Sequence, residues 1–325
     1  MRRVLTLTLL ALTFPATSAA ADGGPVPPVQ GGSGVTAAGS PFNFIALTGG
    51  NHSTVIQRVR RGDGVVQRYR VISGDYGVPG VAFDGSTTGL SADSRTLVLA
   101  STSRYYPPKT TRLVVLDPIR LLERTRITLP GAWVVDAISP DGRWLYFTHY
   151  RAPTQSLNYE VRAYDLQQRQ LIPKPVVDPR EPDEKMQGQP VTRLMSPDGR
   201  FAYTLYAGGD APFVHALDTQ NRTAACIDLP MLSQANDIFA MRLRLNGRTL
   251  SVVGGTSPVA LVDTRSWAAR SPAATRQPAR PVPTPGKSDG GSSFPWALMA
   301  IPAAATLAGL GVVARRRRRF RSAPA

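Results

Sequence analysis

One cysteine, three histidines and four lysines in 325 residues remove several classes of chemistry at the outset. Cys226 stands alone, so no intrachain disulfide staples the fold. His52, His149 and His215 are scattered, and no GxSxG, HExxH, phosphate-loop or EF-hand spacing accompanies them. Nothing pairs a nucleophile with a base or gathers three metal ligands, so the sequence assigns no catalytic residue, no metal site and no cofactor. Charge is also sparse where a nucleic acid would need it. Of 38 Lys and Arg, eight lie at the ends (Arg2, Arg3, Arg315 to Arg319, Arg321), leaving 30 against 22 acidic residues. These 30 are interspersed with acids and lack the one-face clustering of a nucleic-acid footprint. No nucleic-acid partner is expected.

What is present begins at the two ends. Residues 1–21 have the layout of a secretory signal: Arg2 and Arg3, the apolar stretch Val4 to Phe14, and the small-residue cleavage site Ser18-Ala19-Ala20-Ala21. Phe294 to Ala314 carries no charge over 21 residues and is followed at once by Arg315 to Arg319. About 20 apolar residues cross a bilayer as a helix, and an Arg block stays on the cytoplasmic side. Residues 294–314 are therefore predicted as one transmembrane helix and 315–325 as a basic cytoplasmic tail. Residues 268–293 are rich in Pro and small residues and read as an extended linker; residues 22–41 read as a similar flexible segment. The remaining 42–267 is the folded domain, placed outside a single-pass cell-membrane anchor.

That domain contains a repeat. Ser139-Pro140-Asp141-Gly142-Arg143 precedes Trp144-Leu145-Tyr146-Phe147, and Ser196-Pro197-Asp198-Gly199-Arg200 precedes Phe201-Ala202-Tyr203-Thr204. Weaker copies start at Ser91 and Arg244, with a vestige at Ser40-Pro41. An apolar triplet ending in Asp follows each clear copy, at Asp117, Asp165, Asp218 and Asp263. Pro presets one turn corner, Asp tolerates the next and Gly supplies φ > 0, while β-branched and aromatic runs flank them. One period thus predicts four short strands, A to D, with the Ser-Pro-Asp-Gly turn between A and B and the Asp turn between C and D. Val at Gly142 or Gly199 is expected to cost roughly 1–3 kcal/mol through backbone strain. Ser139→Ala and Arg143→Ala are expected to matter less.

A four-stranded unit every 45–50 residues, carrying Ser-Pro-Asp-Gly-Arg before an aromatic strand, resembles the WD40-like, TolB-like and YVTN-type bacterial β-propellers. The resemblance covers 42–267 and stops at the superfamily, since the Gly-His and Trp-Asp dipeptides of true WD40 repeats are absent. It implies an all-β propeller of five blades, or six if the N-terminal part hides another. Ring closure is expected to pair a strand near one end of the array with a blade begun at the other.

Strand order places function. The A–B and C–D turns share one face, and the B–C and D–A connections share the other. The second face collects His52, then Arg104, Tyr105 and Tyr106, then His149, Tyr150 and Arg151, then Tyr206, as candidate ligand or partner residues. An acidic insertion (Asp178, Glu181, Asp183, Glu184) reads as a solvated loop on that side. His215 and Cys226 read as structural. Two functional readings remain open: a cell-surface binding or scaffold module for a protein or cell-wall glycan, and a propeller hydrolase of lactonase type whose channel acids hold a metal.

Overall fold

Runs of β-branched and aromatic residues between Asp, Gly and Pro turns form the strands of the domain. The computed structural model describes residues 25–272, save 104, 151–157, 184–185 and 209–210. The signal, most of the linker and the apolar segment 294–314 lie outside the described residues. No described helix is long and apolar enough to cross a membrane.

Five antiparallel sheets follow one another along the chain. The first holds β1 (Phe42–Thr48), β2 (Ser53–Arg60) and β3 (Val66–Ser73). The second holds β4 (Tyr76–Gly77), β5 (Leu97–Ser101), β6 (Thr110–Asp117) and β7 (Leu122–Pro130). The third holds β8 (Ala132–Ile138), β9 (Trp144–Tyr150), β10 (Asn158–Asp165) and β11 (Gln170–Val176), with β12 (Met186–Gln187) also paired to β10. The fourth holds β13 (Gln189–Met195), β14 (Phe201–Ala207), β15 (Phe213–Asp218) and β16 (Thr223–Asp228). The fifth holds β17 (Arg242–Asn246), β18 (Thr249–Gly254), β19 (Ser257–Asp263) and β20 (Ala269–Arg270). Within each, strands meander in chain order.

The middle strands are apolar on both sides because each sheet is covered by the next. In β5 and β6, Leu97, Leu99 and Leu116 pack on Phe44, Ala46 and Ile56 of the first sheet. The alternate residues Val98, Leu113 and Val115 pack on Val135, Leu145 and Phe147 of the third. Ala137, Tyr146 and Ala163 then meet Ala202 and Leu217, and Val191, Leu205 and Ala216 meet Leu243, Leu250 and Val252. A period of two that buries both phases is what stacked meanders require. This is the blade organisation of a β-propeller.

The repeated turns explain their own sequence. Ser139 Oγ donates to Asp141 Oδ1 at 2.5 Å and accepts from the Trp144 N–H at 2.9 Å. Ser196 does the same with Asp198 and Phe201, and Ser91 with Asp93 and Thr96. The turn Arg reaches across the hairpin to the Asp that ends strand C: Arg143 to Asp165 at 2.9 Å, Arg200 to Asp218 at 2.5 Å and Arg248 to Asp263 at 3.2 Å. The other oxygen of that Asp accepts two N–H groups of the C–D turn, as Asp165 does from Gln167 and Gln168. Four residues past each Asp the chain turns left-handed at Leu121, Arg169, Arg222 and Trp267, with φ of 55° to 60°. Ser139 is more buried than its sequence suggests, while Arg143 is partly exposed, as its sequence suggests. Removing Arg143 strands the buried Asp165 carboxylate, which burial pushes up but the Arg143 guanidinium and turn N–H groups hold below its ordinary value.

Two expectations about the ends need correction. Residues 25–41 are not a free segment: Val29 pairs with Val78, Val35 with Phe44, and Val35 and Ala37 are buried. Val35 thereby adds an isolated bridge beside β1, and the first sheet itself has three strands where the repeat predicts four. No strand pairing joins the first sheet to the fifth among the described residues; each sheet comes from one continuous stretch of chain. At the other boundary, Trp267 and Ala269 still pack against the fifth sheet's core.

Candidate functional site

The face opposite the repeated turns carries a groove of about 360 Å³ at the junction of the second and third sheets. Four stretches build it, one of them the β4–β5 connection with Pro79, Gly80 and Phe83. The β5–β6 connection contributes Ser103, Tyr105, Tyr106 and Pro108, the start of β8 contributes Trp133, and the N-terminal Pro25-Val26-Pro27-Pro28 lies along the remaining side. That proline run is seated by the Val29–Val78 pair, with N–H to O distances of 2.7 and 2.8 Å. Its close approach needs Gly77 and Gly80, where an added Cβ would meet the Val29 and Pro27 carbonyl oxygens, each at 2.7 Å.

The aromatic wall is held from behind. Trp133 Nε1 donates to the Pro130 carbonyl at 2.8 Å, and its ring stacks on His149 at 3.8 Å. His149 Nδ1 lies 3.5 Å from Glu160 Oε1. Tyr106 meets Tyr150 edge-on at 6.4 Å, and from Tyr150 the rings continue to Tyr159, Tyr206 and Phe213. Partial burial pushes the Tyr106 hydroxyl up to about 12, so it stays a neutral donor. Tyr105 is the outermost member, 82% exposed, in a turn where Ser103 Oγ donates to its carbonyl and accepts its N–H.

The structure therefore divides the sequence-predicted residues. Tyr105 and Tyr106 line the groove, and His149 backs it. Tyr150 and Tyr206 are buried in the aromatic row, where they pack against Tyr159. His52 stands apart in the β1–β2 turn, exposed, with Nδ1 2.9 Å from Asp75 Oδ2. Arg104 and Arg151 lie outside the described residues. Sequence reasoning missed Trp133, Phe83 and the proline run; Trp133 lies inside an apolar run that reads only as a strand. In the acidic insertion, Asp178 is buried, paired with Arg180 at 2.5 Å and accepting the Cys226 N–H at 2.9 Å, so it is a structural clamp. Glu181 and Asp183 are exposed, and Glu184 is outside the described residues.

The groove walls hold no carboxylate, imidazole, thiol or cation among the described residues. Such a surface is suited to neutral, apolar parts of a ligand, oriented by hydroxyls of Tyr106, Ser101 and Thr102.

Beneath it sits a buried polar knot. Asp136 is the extra residue of a bulge in β8, and its carboxylate pairs with Arg193 of β13. Arg193 also donates to the Asp136 carbonyl and to Thr204 Oγ1, each at 2.6 Å. His215 lies close by on β15, fully buried, and burial pushes its imidazole down to about 4, an effect opposed by Asp136 and Asp178 and reinforced by Arg193. Because the unfolded chain takes the proton near 6.5, stability should fall as pH drops from 6.5 through 4, by about 3 kcal/mol in full. Denaturant titrations at pH 7 and pH 4.5 check this: His215→Leu should flatten the slope in that window, and an unchanged slope would assign it elsewhere.

No family model matches the chain, and no curated protein matches it. Among solved structures, it is similar to TolB from Acinetobacter baumannii, at 17% identity over 67% of this chain and 48% of that one, with a TM-score of 0.34. AztD from Citrobacter koseri aligns at 14% identity over 72% of this chain and 59% of that one, TM-score 0.36. Kuenenia stuttgartiensis hydrazine synthase aligns at 14% identity over 74% and 76%, TM-score 0.35. The chain spans about half the length of the TolB chain and under two thirds of the AztD chain.

Proposed function

We propose that this protein is an extracytoplasmic binding or scaffold module: a five-bladed propeller tethered by residues 294–314, with the linker that follows β20 holding it off the membrane. The groove around Tyr105, Tyr106 and Trp133 is its ligand site, for a protein segment or a cell-envelope component presenting a neutral apolar group. The observation that carries this reading is the division of labour between the two faces. One face is occupied by turns whose Ser, Asp and Arg satisfy each other, while the other opens an aromatic groove, free of charge among the described residues, with an exposed Tyr at its lip. Retention of the purified protein on isolated cell envelopes tests it. Tyr105→Ala should cut retention at least tenfold with an unchanged melting temperature, because an exposed ring contributes little to folding. Gln168→Ala, in a turn of the opposite face, should leave retention intact. Equal retention by all three proteins would remove the groove from the binding function.

A further inference from the structure

Each sheet ends in an outer strand whose far edge presents unpaired backbone N–H and C=O groups, and native folds suppress strand addition there. Four of the five outer edges are suppressed. β11 carries Pro173 and Pro175. β16 is covered, its Ala224 N–H bonded to the Val177 carbonyl and its Cys226 N–H to Asp178. β20 is two residues long. β7 is laced by ion pairs of both signs, Glu123 with Arg126 and Asp117 with Arg124.

β3 lacks the prolines, the cover, the shortness and the paired charges of the other four edges, and its one irregularity is a bulge at Gln67, near its start. It runs eight residues without Pro, Gly or an acid. Val65, Val66, Tyr69 and Val71 are exposed, four of the nine large apolar side chains so exposed among the described residues. Gly74 N–H donates to the His52 carbonyl, so by antiparallel alternation Arg68, Arg70 and Ile72 turn their backbone groups toward β2. Tyr69, Val71 and Ser73 turn theirs outward, and the Ser73 carbonyl already takes a side-chain donor from Arg126 at 3.1 Å. The edge is also positively charged. Arg68 and Arg70 are exposed with no ion-pair partner among the described residues, and Arg58, Arg60 and Arg61 adjoin them. The one acid nearby in the sheet, Asp63, is held by Arg60 at 2.8 Å.

We infer that β3 is a strand-addition site for an extended partner segment in which acidic residues alternate with β-branched ones. The partner's backbone pairs with Tyr69 and Val71, and its carboxylates meet Arg68 and Arg70. For a second copy of this chain, the two-fold register centred on Tyr69 sets Arg68 of one copy opposite Arg70 of the other, a destabilising like-charge pair, and the register centred on Val71 gives those Arg no carboxylate to meet. The site shares no residue with the groove and does not depend on it.

A fluorescent ten-residue peptide alternating Val and Glu, with a Val and Lys counterpart, tests this by anisotropy against the full-length protein in detergent. The Glu peptide should bind at least tenfold more tightly than the Lys peptide. Val71→Pro deletes an outward N–H that the sheet does not use and should abolish binding. The exposed double variant Arg68→Glu/Arg70→Glu should retain the wild-type melting temperature and reverse the preference between the peptides. Failure of the Glu peptide to bind, or binding unaffected by both variants, would overturn the assignment. A concentration-dependent dimer abolished by Val71→Pro would overturn it in favour of self-pairing.

Discussion

Arg193→Met is expected to destabilise the domain by about 3–5 kcal/mol, more than any surface charge deletion. The cost comes from the group left behind. Asp136 is 4% exposed, and with the guanidinium gone its carboxylate has no other ion-pair partner among the described residues. The pair joins the innermost strands of the third and fourth sheets, β8 and β13, so its loss also loosens their junction. Chemical denaturation of Arg193→Met, Asp136→Leu and the double variant reads the effect. The double variant should recover much of the loss, since two apolar side chains of similar size replace both charges. Additive losses would mean that the two residues act separately.

Val at Gly142 or Gly199 should cost about 3–5 kcal/mol, combining left-handed backbone strain with overpacking. Gly142 has φ +70° and Gly199 φ +73°. Both also press on the second sheet's turn: a Cβ at 142 would lie 2.7 Å from Thr96 Cβ, and one at 199 would lie 2.6 Å from Ala92 Cβ. Gly247 is the internal comparison, with φ +55° and open space around it, so Gly247→Val should cost only the backbone share, about 1–3 kcal/mol. Thermal melts of the three variants should rank 142 and 199 well below 247. Equal shifts would leave strain as the whole cause and remove the turn-to-turn packing.

The parts of the fold that could be read in the sequence are those whose causes are local. Ser-Pro-Asp-Gly-Arg marks its turn because Ser139, Asp141 and Trp144 satisfy one another within a few residues. The recurrence of Asp after each repeat was visible as spacing, but its bond to the turn Arg exists only once the B and C strands pair and bring residues 143 and 165 together. The Arg193–Asp136 pair was hidden, because the residues lie 57 apart and Asp136 interrupts what looks like an ordinary apolar strand. The groove was half legible. Tyr105 and Tyr106 stand out after an apolar strand, whereas Pro25 to Pro28 have the composition of a linker and are fixed by one bridge to Val78 and by two glycines without side chains. Buried Tyr150 and exposed Tyr105 look alike in sequence, since what separates them is the neighbouring sheet.

The division between a structural face and a binding face is tested most directly by photo-cross-linking in intact cells. Benzoylphenylalanine placed at Tyr105 lies at the groove lip, and at Gln168 it lies in a turn of the opposite face. The account predicts a discrete cross-linked product at 105, accessible to protease added outside the cell, and none at 168. A product at 168 alone, or a product at 105 protected from external protease, would contradict it.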